Sequence, residues 1–436
     1  MDVLPIRMTA KEEGSFAYIS MKERTPEIIK KAMASLDEHQ SNFTKLHGQA
    51  GTKAKQKAYS LLNDLLQQLK SDEPLKLLTD NYVDNDIWNE YLKNHENKEK
   101  LSWFQAPWLY AECYMYRRIH EALMLSSPIS DFDVFKDLKC QSFLDSQEPI
   151  IILCNYLQEL KRKIETLSEN KLQEEFFKLL QISLWGNKCD LSLSGGRSSA
   201  QFATPMAVVA ELESFILVNH MDSIWSVLIM RKKNQENIST RVDFILDNSG
   251  FELYTDLVLA DFLLSANLAS EIYFHGKSIP WFVSDTSEKD LMWLIYQLKT
   301  AHTNCMSRCG SIWEEFFLNH KWNYRDNMFW TLPHEYSAMS QVAPDLYADL
   351  QKSNLIIFKG DLNYRKLLGD RKWTFTVPFH EALNGFHPAP LCSIRTIKAE
   401  IQVGLEPGQG ERIAISEPTW MNTGKYGIFQ FDGPLS

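Results

Sequence analysis

Apolar residues along the first half of the chain recur at helical spacing. The stretch "TPEIIKKAMASLDEH" predicts a helix with Thr25 as N-cap and Pro26 at its first position. "KAKQKAYSLLNDLLQQLK" carries leucines on one face, "PWLYAECYMYRRIHEALML" is amphipathic and opens on Pro107, and "ENKLQEEFFKLLQISLW" is a further helix. Residues 1–190 therefore read as a helical N-terminal region without strands, its many aromatics serving as core packing. The low-complexity stretch "LSLSGGRSSAQFATP", residues 191–205, reads as a linker or surface loop. It has glycines but no preceding strand and no GK[ST] ending, which excludes a Walker loop.

From residue 206 to 436 the period changes. Short apolar runs end in polar turns and are followed by helix-like segments: "VDFILDNSG", "EIYFHGKSIPWFVSDTSEKDLMWLIYQLK", "MFWTLPHEYSAM" and "NLIIFKGDLNYRKLLGD". Such alternation predicts an α/β class, a mainly parallel sheet covered on both faces as a three-layer α/β/α sandwich. "LCSIRTIKAEIQVG" and "YGIFQFDG" are expected to add the last elements.

Composition narrows the picture. With 44% hydrophobic and 12% aromatic residues, the 436-residue chain can bury a large core. A formal charge of −10 gives it no basic footprint for direct nucleic-acid binding. The seven cysteines are spread out; Cys305 and Cys309 form C-x3-C without a second pair, a poor zinc pattern, so free thiols in a reducing compartment are expected. No apolar run reaches the roughly 20 residues that span a bilayer. The N-terminal "MDVLPIRMTAKEEGSFAY" lacks a basic segment followed by an apolar one. The expected location is cytoplasmic, nuclear or both, away from membranes.

Ligands of open α/β sheets bind beyond the carboxyl ends of the strands, so the residues just after each apolar run matter most. After "FIL" come Asp247 and Asn248, and after "WFVS" comes Asp285. After "LIIFKG" come Asp361, Leu362, Asn363, Tyr364 and Arg365, and "RTIK" holds Arg395 and Lys398. Asp247, Asn248 and Asp285 offer hard oxygens, suited to Mg2+ or Mn2+. Arg365 and Lys398 offer cations for a phosphate. Carboxylates, a divalent metal and cations together describe phosphoryl transfer. Each residue also has a plainer reading: Asp285 as the N-cap of a helix, Asn248 as a turn residue, Lys398 as a solvated lysine.

The motifs "LDNSGFE", "VSDT", "FKGDLNYRKL" and "RTIK" resemble those of the metal-dependent damage-control phosphatase family, in its R-T-x-K branch. "GSFAY", "SLWGNKCDLSLSGG", "HPAPLCSIRTIKAEIQVGLEPGQGE" and "TGKYGIFQFDGPL" are similar to vertebrate members of that branch, so the resemblance runs over nearly the whole chain. It implies an α/β/α sandwich beside a helical region and metal ligands at Asp247, Asn248 and Asp285. It also implies substrate contacts at Asp361 to Arg365 and at Lys398. The implied activity is hydrolysis of sugar phosphates such as fructose 1-phosphate and fructose 6-phosphate with Mn2+ or Mg2+, Ni2+ and Co2+ being further divalent ions of the same kind. For this branch an S-adenosylmethionine-dependent methylation of protein glutamates, including those of the DNA sliding clamp as partner, has also been proposed.

The residues favour the phosphatase. A methyltransferase holds its cofactor over a turn with two or three glycines; "LDNSGFELY" has one. "GLEPGQGE" has more glycines but no clear strand-turn-helix frame. A non-catalytic scaffold would explain the helices and the charge, yet gives no reason for these five side chains to converge. Asp247 is followed two positions on by Ser249, not by the second Asp of D-x-D phosphatases, so water rather than Asp247 is the expected nucleophile. Among weaker candidates, Glu252 could orient that water, and Asn187 and Asp190 could approach the mouth. "PHE" with His334 and "FHEAL" with His380 lack the H-E-x-x-H spacing and read as structural or rim residues.

Overall fold

The computed structural model describes residues 4–96, 101–194, 209, 211–234 and 239–434. Seven strands form one sheet among these residues: β1 (Ile216–Asn219), β2 (Arg241–Ile245), β3 (Glu271–Gly276), β4 (Trp322–Asp326), β5 (Leu355–Lys359), β6 (Leu391–Thr396) and β7 (Gly427–Asp432). Their order is β1-β7-β6-β5-β2-β3-β4. From β6 across to β4 every pairing is parallel; β7 runs antiparallel to β6 and carries β1 alongside it. The sheet is mainly parallel, as the strand-helix alternation requires.

Central strands are buried on both faces, so their side chains divide by parity. Ile245, Ile356, Phe358, Leu391 and Ile428 join a core with Leu36, Leu62, Trp108 and Leu123 from the helices Thr25–Glu38, Gln40–Lys70 and Trp108–Met124. Val242, Phe244, Ile357, Cys392 and Phe429 join another with Leu153, Leu180, Tyr254 and Trp313. Those residues come from the helices Gln147–Lys163, Glu169–Ser194, Phe251–Ser265 and Asn304–Leu318. Helices from the N-terminal half thus supply part of both outer layers.

Several local expectations are corrected. Thr25 is not an N-cap: a π-helical turn, Ser20–Arg24, runs into the helix, and the Thr25 hydroxyl donates back to the Ser20 carbonyl (3.0 Å). "MFWT" forms a 3-10 turn, and the strand lies earlier, at "WNYRD". The Glu169–Ser194 helix covers the first residues of the expected linker, and the remainder of 191–205 lies outside the described residues. The side chains of Asn187 and Asp190 also lie outside them. Among the described residues, no helix is long and apolar enough to cross a membrane.

Candidate active site

After β2 the chain runs to β3 on one side, whereas β5 pairs with its other side. The carboxyl ends of β2 and β5 therefore flank the topological switch point, where open sheets bind ligands. A cavity of about 320 Å³ opens there. It brings together Asp247, Asn248, Asp285, Asp361, Arg365 and Lys398, with Leu362 in its wall.

Asp247 stands two residues past the end of β2. Its carboxyl is seated against Gly360, the residue after β5, which has φ +81°; a Cβ there would overlap the Asp247 carboxyl group. Only glycine combines that left-handed backbone with so close an approach. Asn248 donates from Nδ2 to Asp247 Oδ2 (2.8 Å) and Glu252 Oε2 (2.9 Å), and its Oδ1 accepts from Ser284 Oγ. Ser249, buried, donates to Thr286 Oγ1 (3.3 Å).

Asp285 is not at the end of a strand. It sits on a loop after β3, held by a bridge to Asn248 and by the Thr286 amide donating to the Asp247 carbonyl (2.8 Å). Two consecutive residues of this loop, Phe282 and Val283, have φ of 43° and 69°. For a β-branched valine this is a strained backbone, of the kind that accumulates at functional sites. Nor does Asp285 cap the next helix. Ser287 does, in a capping box with Asp290, which leaves the Asp285 carboxylate for the cavity.

The acids are crowded. Burial, then the charges of Glu252 and Asp285, push the Asp247 carboxyl well above its ordinary range against the pull of Lys277 and Lys398. Burial likewise pushes Asp285 up to about 6, although the Lys277 ammonium opposes it. Lys277 Nζ lies 3.1 Å from Asp285 Oδ2, off the hydrogen-bonding direction, so that buried oxygen accepts no hydrogen bond among the described residues. Two buried carboxylates and an amide oxygen, short of positive charge, fit a hard divalent cation.

The cations divide differently from expectation. Arg365 is buried and committed: its Nε and NH2 donate to Asp370 (2.9 and 3.0 Å), its NH1 donates to Glu112 (2.6 Å), and its plane lies 3.9 Å from the Trp108 ring centre. It lines the cavity wall but has little freedom to grip a phosphate. Lys398 is exposed and has no ion-pair partner among the described residues. Arg24, on the π-helical turn, is likewise exposed and unpaired at the same cavity. The sequence reading missed Arg24, Glu112 and Lys277.

Two expected substrate contacts point elsewhere. Asn363 is fully buried and donates to the carbonyls of Ile245, Leu246 and Lys359, clamping the ends of β2 and β5 together. Tyr364 is buried too, donating to Gln430 (2.7 Å). Arg395 is a fastener: it bonds Asp361 Oδ1 (2.7 Å) and the carbonyls of Ala399 and Ile401, fixing the turn that presents Lys398. Asp361 also accepts from the Lys398 amide (3.0 Å). Burial would raise the Asp361 carboxyl, but Arg395, Arg365 and that amide hold it below the usual carboxylate range. Glu252, buried behind Asn248, lies 3.6 Å from Lys359 Nζ. His334 packs edge-on to Tyr91, away from the cavity lining.

Sheet, switch point and acid-lined crevice define an α/β enzyme class, with donors in the crevice whose chemistry suits a divalent cation and an anionic substrate. The family model "Damage-control phosphatase ARMT1-like domain" matches residues 20–413. The chain is 60% identical over 437 residues to the Damage-control phosphatase ARMT1 of Bos taurus, covering 99% of each. It is 59% identical to that of Homo sapiens over the full length of both, and 50% identical to that of Danio rerio over 99% of this chain and 97% of the relative. The chain belongs to the damage-control phosphatase ARMT1-like family, and it is a phosphatase.

Proposed function

We propose that the chain hydrolyses small sugar phosphates, fructose 1-phosphate and fructose 6-phosphate among them, with Asp247, Asn248 and Asp285 holding Mn2+ or Mg2+. The observation that carries this reading is one cavity that joins two buried carboxylates and an amide oxygen to two cations without an ion-pair partner among the described residues, Arg24 and Lys398. When bound, the ion supplies Lewis-acid polarisation of the phosphoryl group and activation of water. Arg24 and Lys398 draw the phosphate in and neutralise its outer oxygens. Asp361, kept ionised and tied to Arg395, places the Lys398 backbone rather than taking a proton. Glu252 orients the Asn248 amide by accepting from its Nδ2. Ser249 stands where a D-x-D phosphatase has its second acid, which supports water as the attacking group.

The S-adenosylmethionine alternative has less behind it. The turn after β2 has one glycine, Gly250, and its open side faces the Ser142 side chain rather than a cofactor-sized space. Location in the cytoplasm or nucleus is part of the same proposal, supported by the six cysteines that are free among the described residues. The test is phosphate release from fructose 1-phosphate with Mn2+, run beside calorimetry with S-adenosylmethionine. No release, together with tight cofactor binding, refutes the proposal.

A further inference from the structure

The carboxylate of Asp432, at the end of β7, accepts from two imidazoles at once. His380 Nδ1 lies 2.7 Å from Oδ1, and His387 Nδ1 lies 2.7 Å from Oδ2. The two rings stack, centres 4.2 Å apart and planes 18° from parallel. Between them the chain reverses through Asn384 and Gly385, both at positive φ (50° and 84°), which sets His380 on the Phe379–Ala382 turn of helix beside His387. Asp432 pairs with Leu391 at the start of β6, so the trio sits at the end of the strands opposite the phosphatase crevice. A cavity of about 410 Å³ adjoins it.

We propose that His380, His387 and Asp432 form a second metal site, one that takes a borderline-soft divalent ion such as Zn2+. The donor set differs in kind from the crevice. Two imidazoles and a carboxylate suit Zn2+, Cu2+ or Ni2+ and discriminate against Mg2+ and Mn2+, which prefer oxygen. Three protein ligands with an open fourth position are a standard zinc arrangement. The geometry is close: the three ligand atoms already lie within 4.8 Å of one another. Zinc–ligand bonds of about 2.0–2.2 Å ask the three side chains to adjust around the ion. His380, with its side chain 68% exposed, is free to make that adjustment. Binding needs a lone pair at each Nδ1, so a neutral ring shifts its proton from Nδ1 to Nε2 and no proton leaves. The ion would tie the 379–387 turn to the last strand.

The experiment titrates the full-length chain with Zn2+ by calorimetry in the Asp247→Ala background, which disables the crevice. One zinc equivalent is expected there. Adding His380→Ala or His387→Ala should remove it, or weaken it at least a hundredfold. Cu2+ at one equivalent should show nitrogen couplings in its electron paramagnetic resonance spectrum that the histidine variants lose. Equal unfolding midpoints in chelator establish that the variants fold. In the otherwise native chain, His380→Ala should leave Mn2+-supported phosphatase activity unchanged. Zinc binding that is absent from Asp247→Ala, or identical with and without the two histidines, overturns the proposal.

Discussion

Replacing Gly360 by alanine isolates the geometry on which the crevice depends. Gly360 has φ +81°, and an added Cβ overlaps the Asp247 carboxyl group and comes within 2.8 Å of Asp247 Cβ. The left-handed backbone alone costs about 1–2 kcal/mol for a residue with a Cβ. Driving Asp247 off its rotamer adds about 1 kcal/mol. Gly385 supplies the control: its φ is +84°, yet nothing lies within 4 Å of the Cβ position. Gly385→Ala should therefore show the backbone strain alone and keep phosphatase activity. Gly360→Ala should show somewhat more destabilisation and also lose the site, because Asp247 can no longer stand where the ion and Asn248 need it. Disturbing the partners of a metal ligand weakens affinity or activity about 10–100-fold, and displacing the ligand itself should exceed that. Denaturant unfolding gives the stability change; Mn2+ calorimetry and kcat/KM on fructose 1-phosphate give the rest. A Gly360→Ala enzyme with metal affinity and kcat/KM within about threefold of the native chain would refute this account of the Asp247 seat.

Lys398→Ala and Arg24→Ala should each lower kcat/KM about ten- to a hundredfold, the worth of a charge-assisted phosphate contact at ~1.5–3 kcal/mol, with unfolding unchanged. Arg365→Ala should instead destabilise by roughly 3–5 kcal/mol, since Glu112 and Asp370 would be left buried and uncompensated; denaturant curves decide, and a stable but inactive Arg365→Ala would return that residue to the substrate. Chelation should abolish turnover and Mn2+ should restore it, while Asp247→Ala and Asn248→Ala stay folded and inactive; full activity in a metal-stripped sample would rule out the ion. Burial, followed by Arg117, depresses the His120 imidazole to about 4. The folded chain then binds fewer protons than the unfolded one between about pH 6.5 and 4, so stability present above that window falls by up to ~3 kcal/mol through it. His120→Phe, keeping the edge contact to Tyr82, should flatten that slope in unfolding curves at pH 7 and 4.5.

Local pattern proved a good guide to strand ends and a poor one to commitments made over long distance. Asp247 and Asn248 are legible because the apolar run Phe244-Ile245-Leu246 stops abruptly on them. Asp285 is legible by residue type, but its setting is not: "WFVS" has every local mark of a strand. The protein instead holds Phe282 and Val283 in the left-handed region, with the Phe282 ring packed against Tyr116 and Trp281. β1 and β4 are the sheet's half-exposed edges; β4, "WNYRD", has no apolar run, and the apolar run of β1 is only four residues long, from Phe215 to Val218.

The cations show most clearly where local reading ends. Arg365 and Lys398 look alike in sequence, each just past a strand. What separates them is that Arg365 is tied down by Asp370, five residues on, and by Glu112, 253 residues away on an N-terminal helix. The N-terminal region also contributes Arg24 to the crevice, a residue that stands just ahead of the expected helix start at Thr25. That region therefore lines the crevice as well as covering the sheet: it adds Glu112 to the partners of one arginine and brings in another. Without those helices the strand-end acids would keep their oxygens and Arg365 its pair with Asp370, but Glu112 and Arg24 would be absent, so under the proposed function the ion ligands come from one half of the chain and part of the phosphate-facing charge from the other.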